Sequence, residues 1–345
     1  IALAGLEHQP REAGAGLDFP KGSAPGPSGI RASHMDAVFA TSLGDSVTRL
    51  LADVVNKLAR GNAPPAVAQF VAAVNLFAGS KPNSQDVRPL AAGEYVRRLT
   101  SRCMCTEVKD EARRVLGPRH IGDALAMGCE IGALTSRAWV ARRAGSRGYI
   151  GLKMDFINAY NEPDRASFLA ELRRRLRMLS PWMEFCYGCA PHLYVGDDTI
   201  PSEQGTQQGE ACAGLEWTVG YQPVDEEALR AVAATGKELD ESFYFKDDGW
   251  AAGLVEAVLA YWRAVASLGP PRGYHLNPAK CEILIPAGSP ICVDPRRFAL
   301  TLRDGTTAQP KLRCEGVTDQ PGIDGSPFEM LGAPIGMPAS TRDLI

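Results

Sequence analysis

The amino-acid sequence predicts an α+β fold with a largely antiparallel sheet. The run Tyr149-Ile150-Gly151-Leu152-Lys153-Met154 reads as a short buried strand that ends at Asp155. Ser242 to Phe245 and Trp250 to Leu254 read as two more strands, joined by Lys246-Asp247-Asp248-Gly249. An Asp-Gly step between strand-like runs is a hairpin signal. Helical patterns are mixed with these strands, and that order suggests α+β.

Along the chain, the first 30 residues are rich in Gly, Pro and Ala. Residues 1–21 read as a loosely ordered lead-in, and the turn-prone Pro25-Gly26-Pro27-Ser28-Gly29 closes the stretch. Helical patterning runs from Ser33 to Leu58, with Leu50, Leu51, Val54, Val55 and Leu58 on one stripe. Gly61 and Pro64-Pro65 punctuate it, and a second helix is expected through Phe70 and Val74. Two short strands should flank the loop Pro82-Asn83-Ser84-Gln85. Helices are expected at Tyr95 to Arg102 and Gly128 to Arg143. After Asp155, Asp164 is placed to cap a helix with apolar positions Phe168, Leu169, Leu172 and Leu176. Leu254, Val255, Val258, Leu259, Trp262, Val265 and Leu268 outline another helix, stopped by Gly269 and Pro270. Ile283-Leu284-Ile285 is a last strand-like run.

A chain of 345 residues with 45% hydrophobic content can bury a sizeable core, as one large domain or two joined subdomains. It has no apolar run of about 18 residues, so no membrane span is expected. The opening lacks a basic leader with an apolar core and does not read as a signal peptide. An intracellular protein, nuclear or cytoplasmic, is the expectation. The start at Ile1 and the stop at Ile345 read as a segment of something longer.

The nine cysteines form no regular framework, which fits a reduced compartment. Cys186 and Cys189 make a CxxC pair without a partner pair at finger spacing, and read as packing residues rather than zinc ligands. A net charge of −3 argues against a simple nucleic-acid coat. The arginines are nevertheless clustered: Arg137, Arg142, Arg143 and Arg147 precede Asp155, and Arg173, Arg174, Arg175 and Arg177 follow it. For the second group a solvated helix face and a phosphate contact are equally open.

The carboxylates carry the chemistry. Asp155 ends one expected strand and Asp247-Asp248 sit at the tip of an expected hairpin. If those strands are neighbours, three carboxylates converge at one edge of the sheet and repel one another unless cations neutralise them. Two divalent ions about 4 Å apart suit such a cluster and support in-line phosphoryl transfer. Taken alone, an Asp-Asp-Gly is more often a plain hairpin turn.

Order and company change that. Lys153-Met154-Asp155-Phe156-Ile157-Asn158-Ala159-Tyr160-Asn161 with Asp164-Arg165, Gly205-Thr206-Gln207-Gln208-Gly209-Glu210, and Phe245-Lys246-Asp247-Asp248-Gly249 follow one another along the chain. Leu276-Asn277-Pro278-Ala279-Lys280-Cys281-Glu282 and Phe328-Glu329-Met330-Leu331-Gly332-Ala333-Pro334-Ile335-Gly336 come next. Gly26-Pro27-Ser28-Gly29-Ile30-Arg31 and Val87-Arg88-Pro89-Leu90 lie upstream. In this order the patches resemble the motifs of reverse transcriptases, RNA-directed DNA polymerases, of the non-LTR retrotransposon kind.

The resemblance implies a right-hand polymerase with fingers over residues 22–148 and an antiparallel palm sheet within 149–345. It also implies two Mg²⁺ ions, with Mn²⁺ as a substitute, held by Asp155 and Asp247 with Asp248 in support. Tyr160 resembles the steric gate against a ribose 2′-OH, or else is a half-buried core aromatic. Gln208 and Gly209 would lie against the incoming deoxynucleoside triphosphate, whose phosphates Arg88 and Lys81 would hold. Lys280 resembles the general acid for the leaving pyrophosphate, with an ordinary surface lysine as the equal alternative. Leu331-Gly332 would form a primer grip. The implied partners are an RNA template and a DNA primer, with no membrane.

Several positions depart from the family. Lys246 stands where an apolar residue is usual, Glu210 where Asp is usual, and Ala211 where Pro is common. The sequence stops soon after the fifth patch, so the thumb is expected to be missing, and no endonuclease constellation is seen. The alternative expectation is a decayed element that acts at most as an RNA-binding module.

Overall fold

The structure, a computed structural model, describes residues 19–20, 22–80, 87–314, 317, 320–326 and 328–335. The architecture is mixed α+β. In chain order the strands are β1 Val74–Ser80, β2 Val87–Gly93, β3 Tyr149–Met154, β4 His192–Val195, β5 Asp198–Pro201, β6 Leu239–Phe245 and β7 Asp248–Leu254. They continue with β8 Glu282–Ile285, β9 Leu300–Thr301, β10 Thr307–Ala308, β11 Lys311–Cys314, β12 Ile323–Asp324, β13 Glu329–Met330 and β14 Ala333–Pro334. The described residues of Ile1–Glu111 and Arg165–Glu216 form one compact unit, and those of Ala112–Asp164 and Trp217–Ile345 a second. The stretch 149–345 therefore contributes to both units.

In the first unit the sheet order is β2-β1-β4-β5. β1 and β2 pair antiparallel out to Ser80 and Val87, which is the expected hairpin. Its loop, with Lys81 and Pro82 to Gln85, lies outside the described residues. The helix expected from Ser33 to Leu58 is two helices, Ala32–Phe39 and Gly44–Ala59. Thr41 makes the break: its backbone N–H and its hydroxyl both donate to the Val38 carbonyl, so the helical ladder stops there. Of the expected stripe, Val55 and Leu58 are buried while Leu50 and Val54 are exposed. Val55 packs with Tyr95 and Leu99, and at 100° per residue a neighbour such as Val54 points elsewhere. The second helix ends at Val71, and Val74 opens β1 instead of continuing it. Arg165–Arg175 follows Asp164 as expected, and Phe168, Leu169, Leu172 and Leu176 are all buried.

The sheet of the second unit has the order β12-β11-β8-β3-β7-β6. β6, β7, β3 and β8 pair antiparallel, whereas β8 with β11 and β11 with β12 pair parallel. The sheet is thus mixed, because the chain between β8 and β11 crosses over and returns in the same direction, as parallel pairing requires. The pleat sorts side chains by a period of two. Ile150, Leu152 and Met154 share a core with Ile283, Tyr244 and the helix Val255–Leu268. On the opposite face Trp250, Phe243 and Leu284 pack with Trp139 and Val140 of the helix Gly128–Arg143. Full burial of an aromatic such as Trp250 contributes roughly 2–3 kcal/mol. Gly151 serves this layer, since a Cβ there would sit 2.2 Å from the Trp250 ring.

The β6–β7 turn differs from the expectation. Phe245 pairs with Asp248, so the two-residue tip is Lys246-Asp247, and Asp248-Gly249 belong to β7. The neighbouring strand explains the shift: Met154 of β3 pairs with Gly249 and draws it into the ladder. Among the described residues no helix is long and apolar enough to cross a membrane.

Candidate functional site

Within the second unit, strand register brings the carboxylates together. Asp155 follows Met154, Asp248 precedes Gly249, and Met154 and Gly249 are paired in antiparallel strands. Asp155 and Asp248 therefore stand side by side at one edge of the sheet, with Asp247 next to them at the hairpin tip. Lys246 takes a φ of 56° to make that tip. For a non-glycine residue this conformation costs roughly 1–2 kcal/mol, so the turn carrying Asp247 holds backbone strain.

The charges feel one another. Burial raises the Asp155 carboxyl above its ordinary range, Lys280 opposes this, and Asp247 adds to it. The Asn277 side chain donates a hydrogen bond to the same carboxylate and stabilises its charged form. Asp248 is pushed up to about 6, first by burial and then by Asp247, against the pull of Lys153. The Asp155 main chain is pinned as well: its carbonyl accepts from Asn277 N at 2.9 Å, and its N–H donates to Cys281 Sγ at 3.3 Å. Tyr160 is half-buried against the core, and its hydroxyl is raised by burial and then by Asp247, Asp123 and Asp248. The half-buried position is the one expected of a core aromatic. Lys280 is exposed, in the turn whose N–H donates to the Asn277 carbonyl.

Leu331 and Gly332 turn the β13–β14 hairpin with φ of 54° and 75°. Positive φ at both central residues is the mark of a type I′ turn. The backbone beside it touches the charged edge, since Lys153 Nζ donates to the Glu329 carbonyl at 3.3 Å.

Within the first unit, a loop between β5 and the helix Ala213–Ala233 carries Gln208 and Gly209. Ala91 N donates to the Gln208 carbonyl at 2.7 Å, which docks the loop on β2. Gly209 has φ of 118°, and a Cβ there would lie 2.5 Å from the Ala91 carbonyl oxygen. Only glycine fits both constraints. The pair opens onto a cavity of about 640 Å³ whose walls include Phe77, Leu90, Arg98 and Arg102. Arg88 is an exposed residue of β2 opposite Gly79. Lys81 lies outside the described residues.

Glu210 is not an idle departure. Its side chain is 3% exposed and sits 2.7 Å from Nε of the fully buried Arg97. The clustered arginines are largely engaged locally: Arg142 with Glu241, Arg143 with Asp240, Arg173 with Glu184, and Arg174 and Arg175 with Glu171. Cys186 is buried and Cys189 exposed.

Asn277, Lys153, Asp123, Arg97 and Arg165 are further charged or polar groups at these two places that local sequence pattern did not single out. Asn277 and Lys153 lie inside quoted patches, so their spacing from Asp155 was available. Asp123, whose carboxylate accepts from Thr218 Oγ1 at 2.8 Å, lies in no motif, and neither does Arg97.

Among the described residues no group of three or more His, Cys, Asp or Glu side chains is gathered as a ready-made metal cage. The donor chemistry at the sheet edge nonetheless suits a hard divalent cation, because it offers carboxylate oxygens and an unfavourable accumulation of negative charge. No protein-family model matches the chain, and no curated protein matches it.

Proposed function

We propose that this chain is the fingers-and-palm part of an RNA-directed DNA polymerase that adds deoxynucleotides to a primer 3′-hydroxyl. The observation that carries the proposal is the β3–β7 register, with Asp155 beside Asp248 and Asp247 at the strained tip. Strain retained at a turn that presents a carboxylate is expected where the carboxylate has work to do.

In this reading Asp155, Asp247 and Asp248 hold the divalent ions. When bound, Mg²⁺ neutralises the carboxylates and the charge that develops on the transferring phosphoryl group. The other roles belong to the protein. Asn277 and the Cys281 thiol keep Asp155 oriented. Tyr160 crowds a ribose 2′-OH and favours deoxynucleotides. Arg88 and Lys81 hold phosphates, Gln208 and Gly209 present a close-approach surface to the nucleotide, and Lys280 donates a proton to the leaving pyrophosphate. Leu331-Gly332 supports the primer strand. The RNA template and DNA primer are the implied partners, and the chain acts inside the cell.

A second reading is a decayed reverse-transcriptase-like element that binds RNA only. Lys246 favours it, as an exposed cation next to two carboxylates that metal ions need. Primer extension on an RNA template with deoxynucleotides and Mg²⁺ decides, comparing the wild type with Asp247→Ala. Extension lost in the variant supports the polymerase. No extension by the wild type, with no Mg²⁺-dependent change at the carboxylates, leaves the binding-only reading.

A further inference from the structure

The loop 202–210 has no regular secondary structure, so its carbonyls need donors from elsewhere. Two buried guanidiniums hold the loop, Arg165 by its carbonyls and Arg97 by the Gln207 side chain. Arg165 donates from Nε to the Gly205 carbonyl at 2.9 Å, and from Nη2 to Ser202 Oγ at 2.7 Å and the Gln204 carbonyl at 3.2 Å. Its Nη1 donates to the Ser202 carbonyl. Arg97 donates from Nη1 to Gln207 Oε1 and to the Ala72 carbonyl, while its Nε faces Glu210. The Tyr187 hydroxyl joins the two halves: it accepts from Gln207 N at 3.1 Å and from Arg97 Nη2 at 3.3 Å. Both guanidiniums lie over the Tyr187 ring, 5.5 Å and 4.8 Å from its centre.

This arrangement holds Gln207 inward by both backbone and side chain, and so presents the next two residues outward. Gln207 is buried, Gln208 half-buried and Gly209 exposed. Apolar residues of similar volume could fill the same space at no loss of stability, since burying ion pairs is costly. What they could not do is fix loop carbonyls one by one.

We propose that Arg97 and Arg165 are positioning residues for nucleotide selection, clamping the loop from its buried side so that Gln208 and Gly209 keep their register on β2. The proposal rests on the polymerase reading above. It also assigns Glu210 a purpose, the buried ion pair that holds the Arg97 guanidinium from its Nε side. Lysine cannot replace either arginine, because a compact ammonium lacks the planar fork of donors.

The test uses the full chain with Arg97→Lys, Arg165→Lys and, as control, Arg296→Ala, which loses only a surface pair with Asp294. Single-nucleotide incorporation is measured beside amide hydrogen exchange at Gln207 and Ala91. The clamp predicts a KM for the deoxynucleotide raised about tenfold in each lysine variant, with kcat within about twofold. Exchange at both amides should accelerate at least about tenfold, and the control should change neither. Unchanged exchange, or a fall in kcat at constant KM, overturns the proposal. If the wild type incorporates nothing while exchange accelerates in the variants, the polymerase reading fails and the clamp stands.

Discussion

Glu216 carries a carboxyl group that folding removes from water while neither oxygen gains a hydrogen-bond partner among the described residues. Burial first and Glu210 second raise it from 4.5 to about 8, against the opposing charges of Arg97 and Arg165. Between those values the folded chain keeps a proton that the unfolded chain has released. Stability contributed by this group is therefore complete below pH 4.5, declines as pH rises, and is lost above about 8. Each pH unit in that window is worth about 1.4 kcal/mol, so the whole span is on the order of 4–5 kcal/mol. Glu216→Gln keeps the shape and removes the titration. Urea unfolding of wild type and variant between about pH 6.5 and 8 isolates the effect, because the titration of Asp248 near 6 is common to both chains and cancels in their difference. The wild type should lose about 2 kcal/mol more than the variant across that range, and the variant should be the more stable at pH 8. Parallel pH profiles would refute the argument, since they would mean that Glu216 is hydrated or paired in solution.

Two other perturbations address the second unit. In the metal-free protein, the Asp248 carboxyl should titrate near 6 by carbon-detected NMR, and Asp247→Asn should shift that midpoint downward by removing a neighbouring charge; a midpoint near 4 in the wild type would mean that Asp248 stays hydrated, and an unmoved midpoint in the variant would show that the carboxylates do not interact. Arg119→Ala removes two hydrogen bonds, at 2.8 and 2.6 Å, from the buried Asp225 carboxylate. It should destabilise by about 3 kcal/mol, toward the low end for broken buried pairs because Arg119 is itself 25% exposed. A loss under about 1 kcal/mol by denaturant unfolding would mean that Tyr261 alone satisfies Asp225.

Where local pattern decides, the chain was readable. β3 and the helix Gly128–Arg143 occupy the residues expected of them, because a compact apolar run and a 3.6-residue period are properties of adjacent residues. The β1–β2 and β6–β7 hairpins were legible for the same reason, and the approach of Asp155 to the Asp247-Asp248 pair follows once β3 and β7 are neighbours. The tip of the second hairpin was not legible, because it depends on how far β3 draws Gly249 into its ladder. Nor was the parallel addition of β11 and β12, which no stretch of their own sequence distinguishes from antiparallel pairing.

The types of chemical group at the sheet edge, and their order, belong to the linear sequence. Their environment belongs to the tertiary structure. Asp248 at about 6, Glu216 at about 8, and the arginines that hold a loop from within all arise from burial and from neighbours distant in sequence. Desolvation and Coulomb interactions act through space, and a one-dimensional pattern carries neither.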